Sequence, residues 1–274
     1  MNPKAKTIAL KARKQVFGAL SGNNISTFRG EGFEFAELRE YIYGDDIRTI
    51  DWKTTAKLGK PFVKVYHEER ELNVVVSTML GGSTYFGVEK PKNEFIIELM
   101  AILGYSAIRN KDLFSHMLFA DKMYGYSKPS KKLFAVNKEV ERALEFNVLG
   151  KPTDIEAWVA ELNKRVRKKS LLLLIGDFVG EVNLSLLAKK HDLVVLIVRD
   201  HFIENPKALG EITLVDPGYM DSFKGNFDSS SAAIYTAALK ENDKQLYKHL
   251  RKIGARFAKF YTHEEPYLQL VKRL

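Results

Sequence analysis

The 274-residue chain contains no cysteine. Disulfides, zinc–thiolate sites and a thiol nucleophile are excluded; the absence suits a reducing compartment without requiring one. No apolar run approaches the roughly 18 residues that a membrane helix needs. The basic opening, MNPKAKTIALKARKQVFGAL, spreads its apolar residues at helical spacing and does not mass them as a secretory signal does. A soluble, cytoplasmic protein without a membrane span is expected. Nucleotide signatures are missing as well. There is no G-x-x-x-x-G-K-[ST], and no G-x-G-x-x-G follows a strand pattern, which argues against an ATP- or NAD-dependent enzyme. No internal repeat and no low-complexity linker occurs.

What is present suits a globular α/β protein: 45% hydrophobic and 28% charged residues. The net charge of +9 and pI near 9.4 favour nucleic acid, anionic lipid or an acidic protein as partner. Basic clusters fall at 11–14, 164–169 and 248–252, with no aromatic-interleaved RNA motif and no zinc-finger spacing beside them.

Taken in order, 3–20 reads as an amphipathic helix with Ile8, Val16 and Leu20 on one face and Leu10 and Phe17 near it. Ser21-Gly22-Asn23-Asn24 supplies turn chemistry, and 28–35 an irregular segment or edge strand. Residues 37–43 read as a short helix or turn closed by Gly44, 52–57 as a second short helix, and 62–68 as a half-exposed strand. From Leu72 buried strands alternate with helices: strands at 74–77, 113–119, 122–126, 170–175, 193–198, 211–215 and 256–261, helices at 94–109, 137–146, 154–168, 182–190, 235–253 and 265–272. The pattern predicts a doubly wound, mainly parallel sheet covered on both faces. An amino-terminal arm, residues 1–70, is expected beside an α/β domain of 71–274. In such sheets ligands bind at the carboxyl ends of the strands, which directs attention to Gly81-Gly82-Ser83-Thr84 and Asp177.

Two catalytic readings of these residues are weak. Gly81-Gly82-Ser83-Thr84-Tyr85 approaches a nucleophile elbow, with Asp177 and His201 downstream, but Tyr85 stands where the sharp turn needs glycine. Asp45, Asp46 and Asp51, with Glu68 and Glu69 nearby, could offer oxygen ligands to Mg²⁺ in a nuclease. Asp45 and Asp46 suit turn and capping roles better, with Arg48 placed to form a buried or half-buried ion pair and Trp52 to anchor the arm.

Gly32-Phe33-Glu34-Phe35, Leu38-Arg39-Glu40-Tyr41, Gly44-Asp45-Asp46-Ile47-Arg48-Thr49-Ile50-Asp51-Trp52 and Ala56-Lys57 resemble the signature of the bacterial family called domain of unknown function fifty-eight. The likeness continues through 72–87, Asp177 and Val198-Arg199-Asp200. The resemblance implies a von Willebrand factor A-like, Rossmann-like domain in which Arg39, Tyr41, Gly44, Asp45, Asp46, Arg48, Asp51 and Trp52 are structural. It implies a MoxR-type AAA+ ATPase, or that ATPase's client, as partner in chaperone-like maturation. Many members carry amino-terminal membrane helices, whereas this chain resembles the short soluble type.

The resemblance also implies a divalent-ion site built from Asp-x-Ser-x-Ser, a Thr of a later loop and an Asp of a later strand. Here Met79 and Gly81 take the places of the first Asp and the first Ser, leaving Ser83 and Asp177. A thioether is a poor Mg²⁺ ligand, so the site is degenerate and no cofactor is expected. The expectation is a non-enzymatic adaptor using Gly81, Gly82, Ser83, Thr84, Asp177 and Phe178 as its interaction surface. The alternative is a basic nucleic-acid binder or metal-dependent nuclease.

Overall fold

The structure, a computed structural model, describes residues 2–18, 35–66 and 71–274. The turn read at 21–24, the irregular segment at 28–34, Leu20, Glu68 and Glu69 lie outside the described residues. The chain divides into two units, 1–27 with 73–274 and 28–72. The first helix, α1 (Pro3–Gly18), thus goes with the large unit and not with an arm of residues 1–70.

The small unit holds β1 (Phe35–Glu40), a 3-10 turn (Ile47–Thr49), α2 (Trp52–Leu58) and β2 (Phe62–Tyr66). β1 pairs antiparallel with β2, Leu38 opposite Lys64 and Arg39 opposite Val63. The helix or turn expected at 37–43 is therefore largely a strand. Its charged side chains give no alternation to read, and its state is set by pairing with a segment some 25 positions away. Asp51 caps α2 by accepting from the N–H groups of Lys53 and Thr54, and Gly59 closes it at φ +71°.

The large unit continues with β3 (Asn73–Met79), a 3-10 turn (Gly82–Tyr85), α3 (Lys92–Arg109), β4 (Leu113–Phe119), β5 (Met123–Tyr126), α4 (Leu133–Glu145), α5 (Ile155–Arg165), β6 (Leu171–Gly176), α6 (Ser185–Lys190), β7 (Asp192–Arg199), α7 (His201–Glu204), β8 (Gly210–Val215), β9 (Ser222–Phe227), α8 (Ser229–Lys252), β10 (Arg256–Tyr261) and α9 (Pro266–Arg273). Six strands form one sheet in the order β10-β7-β6-β3-β4-β5, all parallel except the β4–β5 hairpin. This is the doubly wound α/β sheet the alternation predicts. The strand expected at 211–215 stands apart from it: among the described residues β8 pairs with β9 alone, in a separate antiparallel ribbon.

Successive strand residues point to opposite faces, and each face has its own cover. Val75, Leu172, Leu174, Val195 and Ile197 pack with Trp158 and Leu162 of α5, Leu187 of α6, and Leu246 and Leu250 of α8. The other face is covered by α3, which itself carries α1, α4 and α9. α3 therefore has apolar residues almost all round, as a helix between a sheet and further helices requires. α1 meets it through Ala5, Ile8, Ala9, Ala12 and Val16, whereas Leu10 is exposed.

β4 lies on one side of β3 and β6 on the other. The carboxyl ends of β3 and β6 are thus the point where the strand order reverses, the position at which such sheets form a crevice.

Candidate functional site at the carboxyl edge of the sheet

β3 ends in Met79-Leu80-Gly81-Gly82, and β6 ends in Gly176-Asp177. Met79 does not face outward. It is 2% exposed, belongs to the core, and its Cβ crowds Gly176 on the neighbouring strand. Ser77 and Thr78 are also committed inward. The Ser77 hydroxyl accepts from the Trp158 indole at 2.7 Å, and Thr78 shares a 2.9 Å hydrogen bond with the His116 ring, which meets Glu139 at 3.1 Å.

Asp177 is 3% exposed, and its Oδ2 accepts from Lys92 Nζ at 3.0 Å. Lys92 opens α3, where it is also 3% exposed. Burial opposes the charged form of Asp177, but Lys92 and Arg199 outweigh it and hold the carboxyl below the usual carboxylate range. The Ser83 hydroxyl lies buried beside the same carboxylate without a well-formed hydrogen bond.

A second buried cation closes the lower side. Arg199, at the end of β7, donates to the backbone carbonyl of Asp177 and to Asp243 Oδ1 at 2.7 Å. Asp243 also accepts from Lys259 at 2.7 Å, and Lys259 pairs with Glu204 at 2.5 Å. Desolvation opposes the charge of Lys259, yet these carboxylates raise its pKa above the ordinary lysine value. Asp200 acts as a tie: its carboxylate accepts from Val88 N at 3.1 Å, Phe202 N at 2.9 Å and Thr262 Oγ1 at 2.7 Å.

The expected interaction residues are mostly below the surface. Gly81, Gly82, Thr84, Asp177 and Phe178 are buried, and the Phe178 ring packs 5.8 Å from Trp158. Several elements cover them: Lys92 of α3 meets Asp177, Trp158 of α5 packs on Phe178, and the β8–β9 ribbon covers Gly82. The ribbon's turn lies over Gly82, where a Cβ would overlap the backbone of Pro217 and Gly218. Gly82 N also donates to Lys151 O at 2.7 Å, and Gly150 N to Pro217 O at 2.9 Å. What the edge exposes instead is Tyr85, Phe86 and Val88 after β3, Val179 after β6, and Tyr219 and Met220 on the ribbon turn.

The divalent ion implied by the family resemblance does not fit these residues. A core methionine stands at the first ligand position, and an ammonium already neutralises the one remaining carboxylate. Nor does the elbow reading gain a triad: among the described residues the Ser83 hydroxyl forms no hydrogen bond to a histidine, and His201 packs its ring on His263 at 5.6 Å.

The acidic block of the small unit is spent on structure. Asp45 takes a two-pronged contact from Arg39 at 2.7 and 2.8 Å, Asp46 caps the 3-10 turn, and Asp51 caps α2 and meets Lys64 at 3.1 Å. The buried pair expected of Arg48 is not formed: its side chain is 90% exposed and 3.6 Å from Asp46. Arg39, which sits in the β1–β2 pairing and reaches across the Gly44 turn, takes that role. Tyr41 is half-buried and Gly44 turns at φ +106°. Trp52 opens α2 and is 70% exposed. Among the described residues, no group of three or more His, Asp or Glu is arranged to hold a metal ion.

Lys92 and the covering ribbon escape sequence reasoning. One signal was available for Lys92: a cation at the first position of an apolar helix opposes the helix dipole and so calls for a carboxylate nearby.

A family model described as protein of unknown function DUF58 matches residues 37–244. The chain belongs to the DUF58 family. The DUF58 match spans the arm block and the sheet edge alike. Uncharacterized proteins of Mycobacterium tuberculosis and Mycobacterium bovis are 23% identical over 227 residues, covering 77% of this chain and 69% of theirs. Among solved structures, an aerotolerance-related membrane protein from Bacteroides fragilis matches with a TM-score of 0.44 at 8% identity, covering 74% of this chain and 96% of that one. BatB from Bacteroides thetaiotaomicron matches with a TM-score of 0.36 at 11% identity, covering 67% and 98%. No helix among the described residues is long and apolar enough to cross a membrane.

Proposed function

We propose that this DUF58 protein acts by protein–protein contact and not by catalysis, on a von Willebrand A-like fold, as a cytoplasmic adaptor for a MoxR-type AAA+ ATPase or its client. The observation that carries this reading is the chemistry of the sheet edge. The buried carboxylate after β6, Asp177, is neutralised by Lys92, while Tyr85, Phe86, Val88, Val179, Tyr219 and Met220 stand exposed around this edge. Exposed apolar and aromatic side chains at a functional edge suit a protein interface. The partner itself is drawn from the family resemblance.

The test is affinity capture by the tagged full chain from its source organism, against Tyr85→Asp and Tyr219→Asp. Recovery of an AAA+ ATPase by the parent and its loss from both variants supports the reading. Recovery of nucleic acid alone, or an ATPase indifferent to both changes, overturns it.

A further inference from the structure

A groove of about 1450 Å³ runs over the face of the large unit that carries α5, α6 and α8. Its floor is apolar: Ile155 and Val159 of α5, Val182 from the loop before α6, and Leu246 of α8. These residues belong to the core or pack against it, so the floor is rigidly backed. Leu186 stands on the lip at 51% exposure.

The rim has a sign. Glu156, Glu181 and Glu241 border the groove, against Lys189 as the lining ammonium. His249 adds no charge: burial lowers its pKa, and its Nε2 accepts from Leu184 N at 2.9 Å. A net acidic rim on a chain of net charge +9 is a local inversion of the protein's field. Glu156 also suits the first turn of α5, where the helix dipole favours it, and Glu241 meets Lys244 at 3.3 Å on the exposed side of α8, but neither role accounts for Glu181 in a loop.

We propose that this groove receives a short basic amphipathic helix of a partner protein. Its walls are helices, and no strand of the six-stranded sheet lines it, so an added strand has nothing to pair with. A helix laid in a groove is the recognition mode that remains. The size agrees: a helix about 10 Å across and about 15 Å long occupies roughly 1200 Å³ and has about ten residues. Apolar residues at i, i+3 or i+4, and i+7 would sit on the floor, with Lys or Arg meeting the three glutamates. This surface shares no residue with the exposed edge patch proposed above, which it adjoins where Val179 meets Gly180.

The probe is a fluorescent 14-residue peptide with leucines at that spacing and lysines on its flanks, with a twin carrying glutamate in place of lysine. Anisotropy is read with the full chain, its Leu186→Asp variant, and a variant with Glu156, Glu181 and Glu241 all changed to Lys. A variant with Glu89, Glu145 and Glu211 changed to Lys, all exposed outside the groove, matches its net charge. The expected result is binding of the lysine peptide, at least tenfold weaker with Leu186→Asp and with the groove variant, and within twofold of parent with the control. Equal binding of both peptides, binding of neither, or equal loss in the control variant overturns the proposal. So does a parent dimer in sedimentation that the groove variant abolishes, since the occupant is then a second copy.

Discussion

Lys92 Nζ lies 3.0 Å from Asp177 Oδ2, and each side chain is only 4% exposed. One residue opens a helix and the other follows a central strand, so the pair joins two layers at the crevice of the sheet. Removing one member of such a pair strands the other charge in a dry site, at a cost of about 3–5 kcal/mol. Lys92→Met should therefore lower stability by about that amount in urea denaturation. Lys92→Met with Asp177→Asn should recover part of the loss. An unchanged midpoint for the single variant would show that the pair is not closed in solution.

The pH dependence has a definite sign. The Asp177 and Asp243 carboxyls are held below their ordinary range, against burial, by Lys92, Arg199 and Lys259. Their contribution is full above about pH 4 and is lost as pH falls through the lower folded-state values. Lys259 is raised, and burial and Glu204 push Tyr261 up to about 12. Those contributions are present below about pH 10 and fade as pH rises through the folded values. Stability should thus form a broad plateau between these limits. In Lys92→Met the deficit should shrink on acidification, because protonating Asp177 removes the stranded charge. A deficit independent of pH from 3 to 7 would contradict the assignment.

In the small unit Arg39 forms the half-buried pair with Asp45, whereas the Arg48–Asp46 pair is exposed. Asp45 Oδ2 also accepts from Ile42 N at 2.9 Å, so Arg39→Ala should speed hydrogen exchange at the Ile42 amide. Arg48→Ala should leave exchange there unchanged, since its side chain stands in solvent. The reverse ranking would restore the pairing that the sequence suggested.

Gly82 is required by close approach, not by its backbone angles. A methyl group there meets the Pro217–Gly218 backbone, and overpacking of this kind costs about 1–3 kcal/mol. Gly82→Ala should destabilise by that amount and raise protease sensitivity in the ribbon. Gly180→Ala, where φ is +108° but no atom is near, should leave ribbon proteolysis at the parental level.

The sequence was most legible where one local signal decided the outcome. Leu171–Ile175 and Leu193–Val198 are apolar throughout and form the buried β6 and β7, and α9 follows its periodicity. It was least legible where distant segments decide. The charged 35–40 segment is a strand only because 62–66 pairs with it, and 211–215 leaves the main sheet because 222–227 takes it up. At the site, Asp177 and the loss of ligands at Met79 and Gly81 could be read directly. Burial of that loop could not, because Pro217 and Gly218 are more than 130 residues away in the chain. Arg48 is the cation nearest in sequence to Asp46, but the turn at Gly44 folds Arg39 back onto Asp45, a pairing that no local signal announces.

The central claim is that Lys92 closes the crevice so that the sheet edge works through protein contact without a divalent ion. Thermal unfolding of the full chain in 10 mM Mg²⁺ against EDTA tests it most directly. A site with a dissociation constant a hundredfold below the metal concentration adds about 2.7 kcal/mol, a rise of a few degrees in Tm for a domain of this size. The expected result is the same Tm in both conditions, for the parent and for a Ser83→Ala variant. A Mg²⁺-dependent rise of several degrees that Ser83→Ala or Asp177→Asn abolishes would contradict it.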